Sequence, residues 1–566
     1  MEHLFPDFDT LPEIFYHWES TTPNNVFLRQ PKGNSWKEIT FKLAGDQSRR
    51  IVSALKDMGL RQGDHIAISS KNCYHWILAD IAIMMGGFVS VPLYPTLTKS
   101  QLAEVLVKSD AKAIFIGKMD NFGDRAKGIH NGIRVIKFPH YEGSARITIG
   151  KDWDDLLNQY EPIKGNYLPD PDSLWTILFT SGTTGTPKGV MHLHRTPAWI
   201  ARDEKQSNWL GTFNSKENRY FSYLPLNHVG ERIGVELSAL TTGGMISFAE
   251  SLETFAKNLQ DTQPTLFFAV PRIWTKFYLG VLAKMPQKKL DRLLKIPIVS
   301  SVVKKKLLTA LGMWKVKVAA TGAAITPAYI KEWYSKLGIH LIEAYGMTEV
   351  CGSMTNGPMK DCPADSVGKA IPGGEIRIAS DTGEILMKTP YMMTGYYKEP
   401  ELTNHVLIDG WMHSGDRGAL DVQGYLRVIG RVKDAFKTSK GQFITPNPME
   451  EKLGKNEFIE QVCIAGLNVP QPIALINLSE VGQKTPKSKV EKSLEESLQA
   501  LNKDLAGYQK ISTIVVDDSQ WDENNEILTP TLKVRRPKID EIYMETYPAW
   551  HAAQKSIVWK DSFPIG

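Results

Sequence analysis

The stretch Leu178–His192, LFTSGTTGTPKGVMH, sets hydroxyls at Thr180, Ser181, Thr183 and Thr184 beside Gly182 and Gly185, with a single cation at Lys188. Glycine lets backbone N–H groups turn inward as a nest for anionic oxygens, while hydroxyls add donors and a lysine adds charge. The combination predicts a cradle for the phosphates of a nucleotide. It is not a Walker A loop, because that motif needs Gly-Lys-Ser/Thr in contact and Pro187-Lys188-Gly189 stands here. A P-loop NTPase is therefore disfavoured.

Five more places carry residue types with chemical use. Tyr345, Gly346, Thr348 and Glu349 in YGMTE offer a flat face, a hydroxyl donor and a hard oxygen ligand within five residues. Gly322, Ala323 and Ala324 in ATGAA are small enough for close approach of a ring. Asp416 in HSGDRG, when ionised, is acceptor-only and matches a pair of donor hydroxyls. Lys533 stands in LTPTLKVRR, where a lysine beside two arginines reads by itself as basic surface. His228, in YLPLNHVGER, is either a substrate contact or a buried structural histidine.

These residues need a scaffold, and the pattern predicts an α/β one. A helix is expected near AGDQSRRIVSALKDMGL, a strand at HIAISS, a helix from Cys73, then strands at FVSVPLY and AKAIFIG. Such alternation predicts parallel sheets flanked by helices. GWMHSGDRGALDVQGYLRVIG reads as short antiparallel strands of a β-subdomain, and the chain after GRVKDAFKTSKGQF as a smaller α+β region. The expected division is a large domain over residues 1–432 and a small one over residues 433–566.

With 566 residues, 42% hydrophobic and 23% charged, the chain reads as an ordinary soluble globular protein of more than one domain. A net charge of +5 makes no case for nucleic acid as a partner, though it fits anionic small molecules. Four cysteines without a CxxC argue against a disulfide framework or zinc site and point to a reducing cytoplasm. The first residues, MEHLFPDFDTLPEIF, do not read as a signal peptide. WILADIAIMMGGFVSVPLYP is broken by Asp80, Gly86, Gly87 and Pro92, so a buried helix turning into a strand is expected rather than a transmembrane span. LKIPIVSSVVKKKLLTAL, Leu294–Leu311, is basic and apolar together. It reads as a surface helix or as a peripheral membrane contact.

The hydroxyl-rich loop, YGMTE, HSGDRG, GRVKD and LTPTLKVRR together resemble, in order, the signature motifs of the adenylate-forming superfamily of acyl-CoA synthetases, peptide adenylation domains and firefly luciferase. The resemblance implies that ATP and a carboxylic acid form an acyl adenylate and pyrophosphate, and that the acyl group then passes to a thiol such as coenzyme A. It assigns the loop, from Thr180 to Lys188, to the phosphates and Gly322–Ala324 to adenine. Tyr345 would stack on the base, Thr348 bond a phosphate, and Glu349 hold Mg²⁺, with Thr184 beside it. Asp416 would accept from the ribose with Arg431 nearby, and Lys533 would bridge carboxylate and α-phosphate. Lys433 and Asp434 fall at the family's hinge, and Lys437 with Gly441 in the face presented for the thiol step.

YLPLNHVGER and PTLFFAVPRIWTKFY look like the long-chain fatty acyl-CoA synthetase branch, in which His228 would lie near the carboxylate. Phe267, Phe268 and Trp274 would border an acyl tunnel or belong to the core. A short segment between Trp274 and Lys317 allows a medium-chain preference. An acyl-AMP ligase serving a carrier protein, and a non-catalytic nucleotide-binding protein of the same fold, stay open as alternatives. Oligomeric state is not legible.

Overall fold

The computed structural model describes residues 7–181, 187–208, 211–212, 217–357, 362–522, 525–529 and 533–562. The helix Phe41–Asp57 opens on Thr40, whose side chain accepts from the Leu43 amide, and packs on the helix Tyr74–Gly86. Every residue of Tyr74–Gly86 is buried, as its nearly continuous apolar sequence requires. Gly87 ends it in the left-handed region at φ 74° and turns the chain into strand Val89–Leu93. Helix, glycine turn and strand thus stand as the sequence predicts.

Val89–Leu93 belongs to an eight-stranded sheet. In spatial order its strands are Gly395–Tyr396, Pro187–Leu193, Leu174–Ser181, Val89–Leu93, His65–Ser69, Ala113–Ile116, Arg134–Lys137 and Lys151–Asp152. From Leu174–Ser181 to Lys151–Asp152 neighbours run parallel. The edge carrying the glycine- and hydroxyl-rich hairpin is antiparallel. A second sheet joins parallel strands Leu266–Ala269, Val318–Gly322 and Leu341–Tyr345 to two short antiparallel ones. A third orders Arg219–Ser222, Met245–Phe248, Val26–Lys32 and Ser35–Thr40.

The antiparallel subdomain pairs Glu384–Lys388 with Trp411–Leu420, and the latter with Leu426–Arg431. After it, residues 436–558 supply two hydrophobic clusters of their own. The helix Lys487–Lys503 buries Val490, Leu494, Leu498 and Leu501, one stripe at helical spacing, against this smaller core. The architecture is α/β, with several mixed sheets in a large N-terminal part and a smaller C-terminal part.

Candidate active site

The two arms of the predicted cradle lie side by side. Leu174–Ser181 and Pro187–Leu193 form an antiparallel hairpin that sets Thr180 opposite Lys188 and Ser181 opposite Pro187. Gly182, Thr183, Thr184 and Gly185 lie outside the described residues, as does the side chain of Ser181. The Lys188 ammonium is 5.6 Å from the ring centre of Tyr396. Tyr396 in turn donates its hydroxyl to Glu349 Oε1 at 2.6 Å. Burial and the Glu349 charge hold the Tyr396 phenol well above its ordinary pKa, so it stays a donor. Tyr396 belongs to none of the recognised motifs, and sequence reasoning missed it.

YGMTE forms the turn at the end of strand Leu341–Tyr345, followed by one 3-10 turn over Thr348–Val350. Gly346 is dictated by space, since a Cβ there would stand 2.3 Å from the carbonyl oxygen of Gly352. The Thr348 carbonyl accepts from His192 Nε2 at 2.7 Å, which ties the turn to the hairpin arm. Burial lowers the His192 pKa to about 4, so this donor is a neutral imidazole.

Asp416 and Arg431 face each other across neighbouring strands, with Arg431 Nε 2.9 Å from Asp416 Oδ1. The other carboxylate oxygen accepts the Tyr345 hydroxyl at 2.7 Å. Burial raises the Asp416 pKa, and Arg431, Tyr345 and Lys533 act against that rise. Tyr345, Asp416 and Arg431, far apart in sequence, are therefore one group. In the small-residue run, Gly322 ends its strand and Ala323 adopts φ 66°, a left-handed conformation uncommon for alanine. A methyl added at Gly322 would meet the Ala344 carbonyl at 2.9 Å and the Phe268 ring at 3.4 Å. Phe268 thus sits between this run and the segment bearing His228, where Gly230 and Gly234 also approach it. Phe267 and Trp274 are fully buried and pack as core with Tyr334.

Lys533 is held by Thr529 on both backbone sides. Its N–H donates to Thr529 Oγ1 at 3.0 Å, and its carbonyl accepts from the Thr529 amide at 2.8 Å. The side chain is exposed to water, with protein crowded around it at longer range. That crowding, with the Arg431 charge adding to it and Asp416 opposing, lowers its pKa to about 8. His228 senses Lys533 as well. Burial first, then the lysine charge, lowers its pKa to about 4. Its Nδ1 accepts the Gly230 amide at 3.1 Å, so the neutral ring carries its hydrogen on Nε2. Lys533, His228, Asp416 and Arg431 are electrostatic neighbours. Of the remaining predicted residues, Lys433 is exposed, and Asp434 donates its amide to the Arg431 carbonyl at 3.3 Å. Lys437 is exposed and stands on a two-stranded hairpin with Phe443–Ile444.

Behind His228 lies a buried charge network. The chain forms a short helix Val229–Glu231, then a π-helical turn Arg232–Leu237. Arg232, 1% exposed, pairs with Asp80 of the apolar helix and with Glu236 at 3.1 Å, and lies 4.3 Å from the ring centre of Trp175. Asp80 also accepts from Ser90, and Arg232 donates to Thr176 at 3.0 Å. Glu231 Oε1 accepts from the Tyr223 amide at 3.0 Å, while among the described residues its buried Oε2 has no partner. Burial accordingly pushes the Glu231 pKa up to about 8.

The AMP-binding enzyme family model matches residues 15–397, and the AMP-binding enzyme C-terminal domain matches residues 433–546. The chain belongs to the AMP-binding enzyme family. Among curated relatives of this AMP-binding enzyme, long chain acyl-CoA synthetase 2 of Arabidopsis thaliana is 25% identical, over 95% of this chain and 93% of the relative. Long-chain-fatty-acid–CoA ligase 5 of Rattus norvegicus is 27% identical, over 96% of this chain and 88% of the relative. The fold is that of adenylation enzymes. The A-PCP didomain of the carboxylic acid reductase from Segniliparus rugosus, in complex with AMP, superposes with a TM-score of 0.81 at 21% identity, covering 98% of this chain and 83% of that one. The anthranilate CoA ligase AuaEII, in complex with anthranoyl-AMP, gives 0.77 at 17% identity, covering 96% and 99%.

Proposed function

We propose that this AMP-binding enzyme is a fatty acid–CoA ligase acting on medium to long chains. It would form acyl-AMP and pyrophosphate, then acyl-CoA and AMP. The observation that carries the reading is that Lys533, from the C-terminal region, lies within electrostatic range of His228, Asp416 and Arg431. A carboxylate must approach an already negative α-phosphate, and Lys533 supplies a cation between the two. His228 Nε2–H donates to the acid, Asp416 accepts from the ribose, and Tyr345 lies against the base beside Gly322–Ala324. Thr180, Ser181, Lys188 and Thr348, with the loop between, hold the phosphates.

Glu349 is a buried carboxylate with one oxygen fixed by Tyr396. One hard ligand of this kind fits Mg²⁺, which takes its remaining ligands from substrate phosphates and water. When bound, the ion neutralises phosphate charge; Thr184 would stand beside it. After adenylation, residues 433–566 would turn about Lys433 and Asp434, withdraw Lys533, and bring Lys437 and its hairpin to the thiol. Phe268 borders the acid near its carboxyl end, and each methylene buried beyond it contributes about 0.8 kcal/mol. The named activities of the relatives at 25–27% identity support the fatty acid and CoA. Four free cysteines suit the cytoplasm.

The test is pyrophosphate release across straight-chain acids from acetate to eicosanoate, with and without CoA. The expected result is release with medium to long chains, and multiple turnovers only with CoA. ADP and phosphate as products would refute it. Acyl-AMP that accumulates and ignores CoA would show a carrier-loading ligase instead.

A further inference from the structure

Residues 284–317 carry ten lysines and arginines against one aspartate in a chain of net charge +5, so the remainder is net acidic. The segment folds as the end of helix Pro271–Lys284, then helices Gln287–Leu294 and Pro297–Ala310. One side is anchored, because Leu290 and Leu308 are buried in the cluster that contains Phe267 and Trp274. The other side is apolar where water should be. Ile298 is 83% exposed, Ile296 and Val302 about half, and Trp314 46%. Ile298, Val302 and Lys305 follow one another at helical spacing, and the Lys305 ammonium lies 5.7 Å from the Trp314 ring centre. Aliphatic side chains, an indole and flanking lysines therefore form one continuous face.

We propose that this face docks on an anionic lipid bilayer. Exposed isoleucine, valine and tryptophan gain by entering the headgroup boundary, and the lysines gain from the acidic surface. Two copies of the chain cannot pair symmetrically on this face, because two such cationic faces repel. Nucleic acid is poorer, because the aliphatic residues would find no use against a phosphate backbone. The contact is peripheral, since among the described residues no helix is long and apolar enough to cross a membrane. The proposal does not rest on the identity of the acid and would stand if the proposed chemistry failed.

The test is co-sedimentation of the full chain with vesicles of phosphatidylcholine alone and of phosphatidylcholine mixed with phosphatidylglycerol. Binding is expected only to the mixed vesicles, weakening as salt rises. Replacing the lysines in K304Q/K305Q/K306Q should weaken it about a hundredfold, from the attraction of each basic residue for such a surface. I298S/V302S/W314S should lower the binding that survives at high salt. Unchanged thermal unfolding and unchanged acid-dependent pyrophosphate release would show that both variants stay folded. Equal binding to both vesicle types, none to either, or variants that bind like the parent would overturn the proposal. So would a concentration-dependent dimer dispersed by the same substitutions.

Discussion

Lys533→Ala removes the cation that the proposed adenylation step needs. Two like charges about 4 Å apart repel by ~4 kcal/mol at an effective dielectric of 20. That is about a thousandfold in rate, and water at the exposed Lys533 side chain screens part of it. The expected loss lies between about thirtyfold and a thousandfold. The assay is ATP–pyrophosphate exchange, which isolates adenylation, beside thioester formation from presynthesised acyl-AMP, which should change little. The pH dependence supplies an independent check. A lysine whose pKa is lowered to about 8 is cationic below that value and loses its charge above it, so kcat/KM for ATP should fall as pH rises through about 8. Lys533→Arg, which stays charged, should lose this alkaline limb whatever its absolute rate. Glu231 and Glu236 also change charge near pH 8, but they do so equally in both proteins. Exchange within threefold of the parent in Lys533→Ala, or an identical alkaline limb in Lys533→Arg, would refute the reasoning.

Three further outcomes follow from the geometry. Arg232→Met should destabilise by about 3–5 kcal/mol in urea unfolding, because Asp80 stays buried without its counter-charge. Glu231, with a folded pKa of about 8 against an ordinary 4.5, keeps a proton in that window which the unfolded chain has released. Stability should therefore fall as pH rises from about 4.5 to 8 and then level, and Glu231→Gln should flatten that slope in Tm measurements. Gly346→Ala should cost about 1–3 kcal/mol, since the new methyl meets the Gly352 carbonyl and backbone must shift; equilibrium denaturation reads it.

The parts of the site legible in the sequence are those whose partners lie nearby or whose types are distinctive. Thr180 and Lys188 face each other because a glycine-rich loop between two apolar runs makes a hairpin. Gly346 and Gly87 signal tight turns, and turns follow. Asp80 is the opposite case. In an apolar run a lone acid reads as an interruption, whereas the fold buries it against Arg232, 152 residues away. No local pattern encodes a pairing at that distance. The same holds for Tyr396, whose value lies only in reaching Glu349. Phe267 and Phe268 are adjacent and chemically identical, and strand alternation alone decides that the first enters the core while the second meets the glycines. The π-helical turn at Arg232 leaves no compositional trace; it appears where a guanidinium must reach carboxylates on two elements.

Arg431 is the last residue of its strand, and the proposed pivot begins two residues later. A swing of the tail about that pivot would carry Lys533 off while leaving the Arg431–Asp416 clasp on the stationary side. AMP would then keep its grip on the ribose throughout the exchange of one half-reaction for the next, and its departure would wait on the thioester rather than precede it.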